Sequence, residues 1–162
     1  MPSRTLLNAL PLAAALLLAG GITATSTANA KHDGEQAANG YTHQRVIYHV
    51  NDFQNANASL RNINNHLNAV GDDHIDLVVV THGSGINFLL DDAVDASGNT
   101  FDNAVRELAA RGVRFEVCRN TLTSRNLDES AYSMLSDIVE IVPSGVATVA
   151  QKQIEGYVLV KP

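Results

Sequence analysis

The residue of this chain with the clearest capacity for chemistry is a single cysteine. Cys118 follows the alternating run at 113–117 and stands directly before Arg119. A thiol at the end of a strand can lie near the amides of a helix N-terminus, whose partial positive charge favours the thiolate, as does Arg119 if its side chain turns inward. A thiolate is a nucleophile and can carry a bound sulfur atom. The alternative is a small buried residue that completes the strand.

A histidine is the second candidate. His82 begins the segment His82-Gly83-Ser84-Gly85, directly after an apolar run. The pKa of an imidazole lies near physiological pH, so His82 can exchange a proton with the thiol or with a bound group. Gly83 and Gly85 would let backbone amides approach a small anion. The segment lacks the spacing of a phosphate-binding loop or a dinucleotide fingerprint, and a tight turn with a hydrogen-bonded histidine is the alternative.

Further polar residues and a glycine follow the apolar runs of the chain. Predicted to bind substrate on this ground are Asn51, Asp52, Arg119, Asn120, Ser144 and Gly145. Helix capping is the alternative for Asn51, Asp52 and Ser144, although the amides behind a capping serine can also bind an anion. No serine lies between two glycines at the spacing of a nucleophile elbow, which argues against a serine hydrolase.

Strands and helices that would position these residues alternate along the chain. Short apolar or β-branched runs predict five strands, at 46–50, 75–80, 113–117, 138–142 and 157–160. Apolar residues at helical spacing predict helices at 55–69, from 101 until just before 112, and after Ser144, with a short helical stretch around 128–135. This alternation predicts an α/β fold with a mostly parallel five-stranded sheet and helices on both faces. Ligands of such sheets bind beyond the carboxyl ends of the strands, where the candidate residues fall.

The first thirty residues have the pattern of a secretory signal. Arg4 is their only charged residue, an apolar run follows at 6–20, and the segment ends in Ala28-Asn29-Ala30. The apolar run is shorter than the roughly 20 residues that a membrane-spanning helix needs, and an uncleaved anchor is the alternative. We expect a signal peptide at 1–30, a flexible leader at 31–44 and one domain at 45–162, exported to the periplasm or secreted, with no membrane contact after cleavage.

Composition excludes several classes of protein. The chain has 162 residues, of which 45% are hydrophobic, and a formal net charge of −6. That charge argues against a nucleic-acid partner. One cysteine excludes an internal disulfide framework and a multi-cysteine metal cluster. A Cys118/His82 pair could bind a soft metal such as copper, but no local ligand motif supports this, and neither metal nor cofactor is predicted.

Six segments together resemble the DsrE/DsrF-like family. They are 46–52 (VIYHVND), 62–67 (NINNHL), 79–85 (VVTHGSG), 112–122 (GVRFEVCRNTL), 142–147 (VPSGVA) and 155–162 (EGYVLVKP). The resemblance spans about 45–162 and is closest to small single-domain members that carry a signal peptide. It implies a three-layer α/β/α sandwich with a five-stranded parallel sheet, and a homo-oligomer, either a trimer or a hexamer.

The same resemblance implies sulfur chemistry. In the sulfur-relay members a cysteine accepts and passes on persulfide sulfur, and Cys118 matches it by position. Those members are cytoplasmic hetero-oligomers, whereas this chain carries an export signal. We therefore expect an exported, sulfurtransferase-like carrier of sulfane sulfur, with the thiol of a donor or acceptor protein as partner. The alternative is a non-catalytic homo-oligomeric module of the same fold that binds a small ligand, an anion or a metal ion.

Overall fold

Five parallel strands form one sheet in the computed structural model, which describes residues 40–162. The strands are β1 (Gln44–Val50), β2 (Ile75–Thr81), β3 (Arg114–Cys118), β4 (Val139–Val142) and β5 (Val158–Val160). They lie in the order β4-β3-β2-β1-β5, and every neighbouring pair is parallel. The predicted parallel α/β sheet is therefore confirmed, and the structure adds the strand order.

Five α-helices connect the strands. They are α1 (Ala56–Val70), α2 (Asp102–Ala110), α3 (Arg119–Ser124), α4 (Ser133–Asp137) and α5 (Gly145–Ile154). Short 3-10 helices lie at Phe53–Asn55, Asp72–His74, Gly83–Leu89 and Glu129–Ala131. The first helix agrees with its prediction to within one residue, because Leu60, Ile63 and Leu67 form its buried stripe. It ends at Val70 and is followed by Gly71, whose positive φ of 94° is readily adopted by glycine.

Two local predictions differ from the structure. The tight turn that was the alternative for the segment beginning at His82 is a longer element, the 3-10 helix Gly83–Leu89. Arg119 and Asn120, which follow the third predicted strand, begin the helix α3, where no helix was predicted. Its threonines and serine have weak helix propensity. The helix is nevertheless stabilised by packing, because Thr121 and Leu122 are buried.

Side chains alternate between the two faces of the sheet. In β1, Val46, Tyr48 and Val50 belong to a large apolar core that also contains buried residues of α1, α2, α3 and α4. Ile47 points the other way, into a smaller core with Val149 of α5. We call the face that carries Ile47 the α5 side, because α5 packs there across β1, β2 and β3. The helices thus cover both faces, as predicted.

A polar cluster holds the C-terminal end of α5 on the sheet. The hydroxyl of Tyr157 donates a hydrogen bond to the Asp76 carboxylate of β2. Arg114 of β3 donates to Asp76 at 2.7 Å and to the Tyr157 oxygen at 2.9 Å. The guanidinium of Arg45 lies 4.3 Å from the centre of the Tyr157 ring. These charge-assisted contacts join three strands to the turn between α5 and β5.

Part of the predicted organisation lies outside the described residues. The signal peptide expected at 1–30 and most of the leader expected at 31–44 precede residue 40. β1 begins at Gln44, one residue before the expected start of the domain. Within 40–162 no helix combines the length and the apolar character needed to cross a membrane.

Candidate functional site

Cys118 is the last residue of β3, and α3 begins at the next residue. Phe115 and Val117 of β3 enter the large core, so the alternation of the strand turns Glu116 and Cys118 toward the α5 side. The cysteine is 5% exposed. The thiol is therefore held between the end of the sheet and the N-terminus of α5.

Hydrogen-bond donors surround the sulfur of Cys118. Backbone N–H groups of Gly145, Thr121 and Asn120 point to it, and so does the hydroxyl of Thr121. Burial is the largest single influence on the pKa of this thiol and raises it, but the four donors together outweigh burial, so the pKa of Cys118 lies below its usual value. The site therefore favours the thiolate without a neighbouring positive side chain.

The Thr121 hydroxyl is itself held by a glycine amide. Gly83 donates its N–H to the Thr121 oxygen at 3.1 Å, which leaves the hydroxyl proton free to point to sulfur. Gly83 has a φ of 58°, and a Cβ there would lie 3.2 Å from the carbonyl oxygen of Asn51. The Gly83 amide thus orients Thr121, whereas it was predicted to bind an anion.

Gly85 also packs closely. A Cβ at Gly85 would collide with the backbone carbonyl of Val50, so only glycine fits at this crossing of the chain. Its amide donates to the carbonyl oxygen of His82 at 3.1 Å. The amide of Gly85 is thus satisfied within the turn, and binding of a small anion at this segment stays a prediction.

His82 lies beside the cysteine. A Cβ added to Gly145 would lie 3.2 Å from the Cβ of Cys118 and 3.3 Å from the Cβ of His82. The Cβ atoms of Cys118 and His82 are therefore no more than about 6.5 Å apart, the sum of those two distances. The absence of a side chain at Gly145 lets the first turn of α5 approach both residues and donate its N–H to the sulfur.

A second histidine pairs with the first. The Nε2 atoms of His49 and His82 are 2.7 Å apart, and the ring centres are 4.9 Å apart. Burial lowers the pKa of both rings; the positive charge of Lys161 lowers both further, and His82 adds to the effect on His49. In the sequence His49 and His82 both lie near strand ends, but packing within the strand was the favoured interpretation of His49. The available signal was its position two residues after Ile47, on the same face of β1.

Four residues thus lie along the edge of the sheet that is formed by the carboxyl ends of neighbouring strands. Cys118 belongs to β3, His82 follows β2, His49 is in β1, and Lys161 follows β5. Lys161 was not singled out from the sequence. Lys161 lies near the two histidines because β5 pairs with the outer side of β1, with Tyr48 opposite Val160.

Other predicted site residues have different roles. Arg119 forms an ion pair with Glu129 at 3.5 Å and its side chain is 54% exposed, so the expectation that it turns inward toward the thiol is not met. Asp52 accepts a hydrogen bond from the N–H of Gln54, and Ser144 accepts one from that of Ala147. For these two residues the structure shows helix capping.

Two asparagines contribute backbone atoms. Asn120 is exposed and donates its N–H to the Cys118 sulfur. Asn51 presents its carbonyl oxygen to Gly83.

In the part of the chain that the structure describes, no three side chains of His, Cys, Asp or Glu are grouped so that they could hold a metal ion. The Cys118/His82 copper interpretation therefore gains no third ligand of those types there.

Comparisons with known proteins agree with the fold. The model of the DsrE/DsrF-like family matches residues 22–162. A solved structure of a protein of unknown function from Methanobacterium thermoautotrophicum is similar, with a TM-score of 0.63 and 26% sequence identity; the match covers 74% of this chain and 99% of that one. No match was found among curated proteins.

Replacing Thr121 with valine tests the origin of the thiolate. Thr121→Val removes one donor from sulfur at nearly constant volume, so we expect a higher pKa for Cys118 and several-fold slower alkylation by iodoacetamide at neutral pH. Alkylation as a function of pH measures both, and the chain has one cysteine, so the signal belongs to Cys118 alone. The control is Thr123→Val, an exposed position on the same helix. Identical profiles for the two variants would contradict the assignment.

Proposed function

This chain belongs to the DsrE/DsrF-like family, whose fold is related to sulfur relay, and we propose that it is an exported carrier of sulfane sulfur, held as a persulfide on Cys118. The observation that carries the proposal is the set of four hydrogen-bond donors around one buried sulfur. These donors stabilise the Cys118 thiolate, which is the form that attacks a donor persulfide. In the loaded carrier the negative charge lies mainly on the outer sulfur, one S–S bond beyond Sγ.

The transfer step needs no oxidant. The Cys118 thiolate attacks the outer sulfur of a donor persulfide, a new S–S bond forms at Sγ, and the S–S bond of the donor breaks. The donor leaves as a thiolate with the electron pair of that bond and takes up a proton. The imidazolium form of His82 is the nearby group that can supply this proton. Burial and the positive charge of Lys161 lower the pKa of His82, so we expect this form to be populated mainly on the acidic side of neutral pH. Attack by an acceptor thiolate on the outer sulfur then returns Cys118 to its thiolate form.

Sulfur loading tests the proposal directly. After incubation with thiosulfate or a small persulfide, we expect the intact mass of the wild type to rise by one sulfur atom and to return to its starting value with excess dithiothreitol. Cys118→Ser should show no gain, because the chain has no other cysteine. No gain in the wild type, or an equal gain in both proteins, would overturn the proposal.

The second candidate is a ligand-binding module of the same fold. It is favoured by the low exposure of Cys118, at 5%, and by Lys161 and two histidines along the same edge. In such a module Cys118 only lines the site. A thiol pKa near the ordinary value of about 8.5 and slow alkylation would favour this function over the first.

Export is the part of the proposal that rests on the N-terminal sequence. Cleavage after Ala30 would leave a mature chain that begins at Lys31, in the periplasm or outside the cell. We expect the protein recovered from its native host to have the intact mass of residues 31–162. A recovered chain that retains the first thirty residues would contradict cleavage.

Self-association is a further part of the proposal. Four large apolar side chains are exposed on α5 and β5: Val146 at 64%, Ile154 at 80%, Val158 at 65% and Leu159 at 37%. Such exposure is typical of a surface that packs against another protein chain. We propose that a homo-oligomer, a trimer or a hexamer as the family resemblance implies, covers these residues.

A charge at the most exposed of these residues should dissociate the oligomer. We expect Ile154→Lys to lower the mass measured by light scattering to that of one chain, because burial of an unpaired lysine is unfavourable. The matched control is Val94→Lys, at a position that is 45% exposed and lies near α2. Equal masses for the wild type and Ile154→Lys would contradict this interface.

A further inference from the structure

The short contact between His49 and His82 limits how protons can occupy the site. The two Nε2 atoms are 2.7 Å apart, which is a hydrogen-bond distance. One ring must donate and the other must accept, because protons on both Nε2 atoms would collide in the gap. The pair can therefore hold one proton between the rings and exchange others only at the two Nδ1 atoms. It takes up and releases protons as one coupled unit.

The ring geometry indicates which nitrogen serves the thiol. Nε2 of His82 is occupied by His49, which leaves Nδ1. Nδ1 is the ring nitrogen nearer to the Cβ, and the Cβ of His82 lies on the Gly145 side, next to Cys118. His82 thus has one nitrogen committed to β1 and the other at the end of the sheet where the sulfur is held.

The elements around the histidine pair differ in the titratable and charged groups that they carry. Cys118 lies on the β3 side and the positive charge of Lys161 on the β5 side. The first turn of α5, residues 144–147, carries no titratable side chain. Arg119 of α3 is turned to Glu129, and Asp52 caps the 3-10 helix after β1. Within 40–162, the histidine pair is therefore the neutral-pH proton carrier next to Cys118.

We infer that His49 is a positioning residue for sulfur transfer: it accepts a hydrogen bond from Nε2 of His82 and so holds Nδ1 of His82 ready to exchange a proton at Cys118. The inference rests on the proposed function for the identity of the transferred group. In the cationic state His82 carries protons on both nitrogens and His49 one on Nδ1. Loss of the His82 Nδ1 proton to the departing donor thiolate leaves a neutral pair with the hydrogen bond between the rings intact.

Nitrogen NMR of the ring atoms tests the arrangement without any sulfur chemistry. In the neutral wild type we expect His82 to carry its proton on Nε2 and His49 to carry its proton on Nδ1. In His49→Gln, whose amide oxygen can accept the same hydrogen bond, His82 should keep that tautomer. In His49→Leu it should show the tautomer mixture of a free histidine. Any other assignment of tautomers in the wild type would overturn the inference.

The pH dependence of Cys118 supplies the functional readout. We expect the loading rate of the wild type to show a histidine inflection as well as the thiol inflection. His49→Leu should lose roughly tenfold in rate at neutral pH and shift the histidine inflection, and His49→Gln should recover most of both. His66→Gln is the matched control, because His66 pairs with Tyr48 and Gln44 elsewhere. It should keep the wild-type profile.

The two proposals can fail separately. If Cys118 takes up sulfur normally and His49→Leu has the wild-type pH profile, His49 does not position His82 and the carrier function stands. If no sulfur is taken up, the carrier function fails; the alkylation profile of Cys118 in the same variants then decides the role of His49. An unchanged alkylation profile in His49→Leu overturns that role.

Discussion

Close seating of the first turn of α5 against the ends of β2 and β3 is the constraint on which the site depends. Gly145 makes this possible, since a Cβ there would come within 3.3 Å of Cys118, His82 and the Thr81 carbonyl. Ser144 caps the helix immediately before it. At the other end of the helix the Tyr157 hydroxyl binds Asp76. α5 is thus fixed to the sheet near both of its ends. These contacts hold the N–H of Gly145 in position to donate to the Cys118 sulfur.

The thiolate is stabilised mainly by backbone atoms. Three of its four donors are peptide N–H groups, and the fourth is a threonine hydroxyl that a further peptide N–H orients. Peptide dipoles are fixed by the fold and lose little side-chain entropy when they bind a charge. This explains why Arg119 can turn outward to Glu129 without removing the electrostatic basis of the site.

The sequence predicts the fold well because apolar runs of four to six residues alternate with segments whose apolar residues have helical spacing. Few folds are compatible with that pattern. Cys118 and His82 could be found because each lies within two positions of the end of such a run. His49 also lies near the end of a predicted strand, but its contact with His82 and the proximity of Lys161 depend on the strand order β2-β1-β5, which no local pattern encodes. The roles of Gly83 and Arg119 were missed for a related reason: the available partners of an amide or a long side chain are set by tertiary packing.

The groups that stabilise the Cys118 thiolate are only partly local in the chain. Asn120 and Thr121 lie two and three positions after the cysteine, whereas Gly145 lies 27 positions after it, and Gly83, which orients Thr121, lies 35 positions before it. In the unfolded chain neither glycine is held near these residues, and the thiol has the ordinary acidity of a free cysteine, with a pKa of about 8.5. The cysteine therefore acquires its increased acidity only in the folded protein, where α5 packs against the end of β3. In the unfolded chain the thiol is mostly protonated at neutral pH, which slows its capture as an unwanted mixed disulfide.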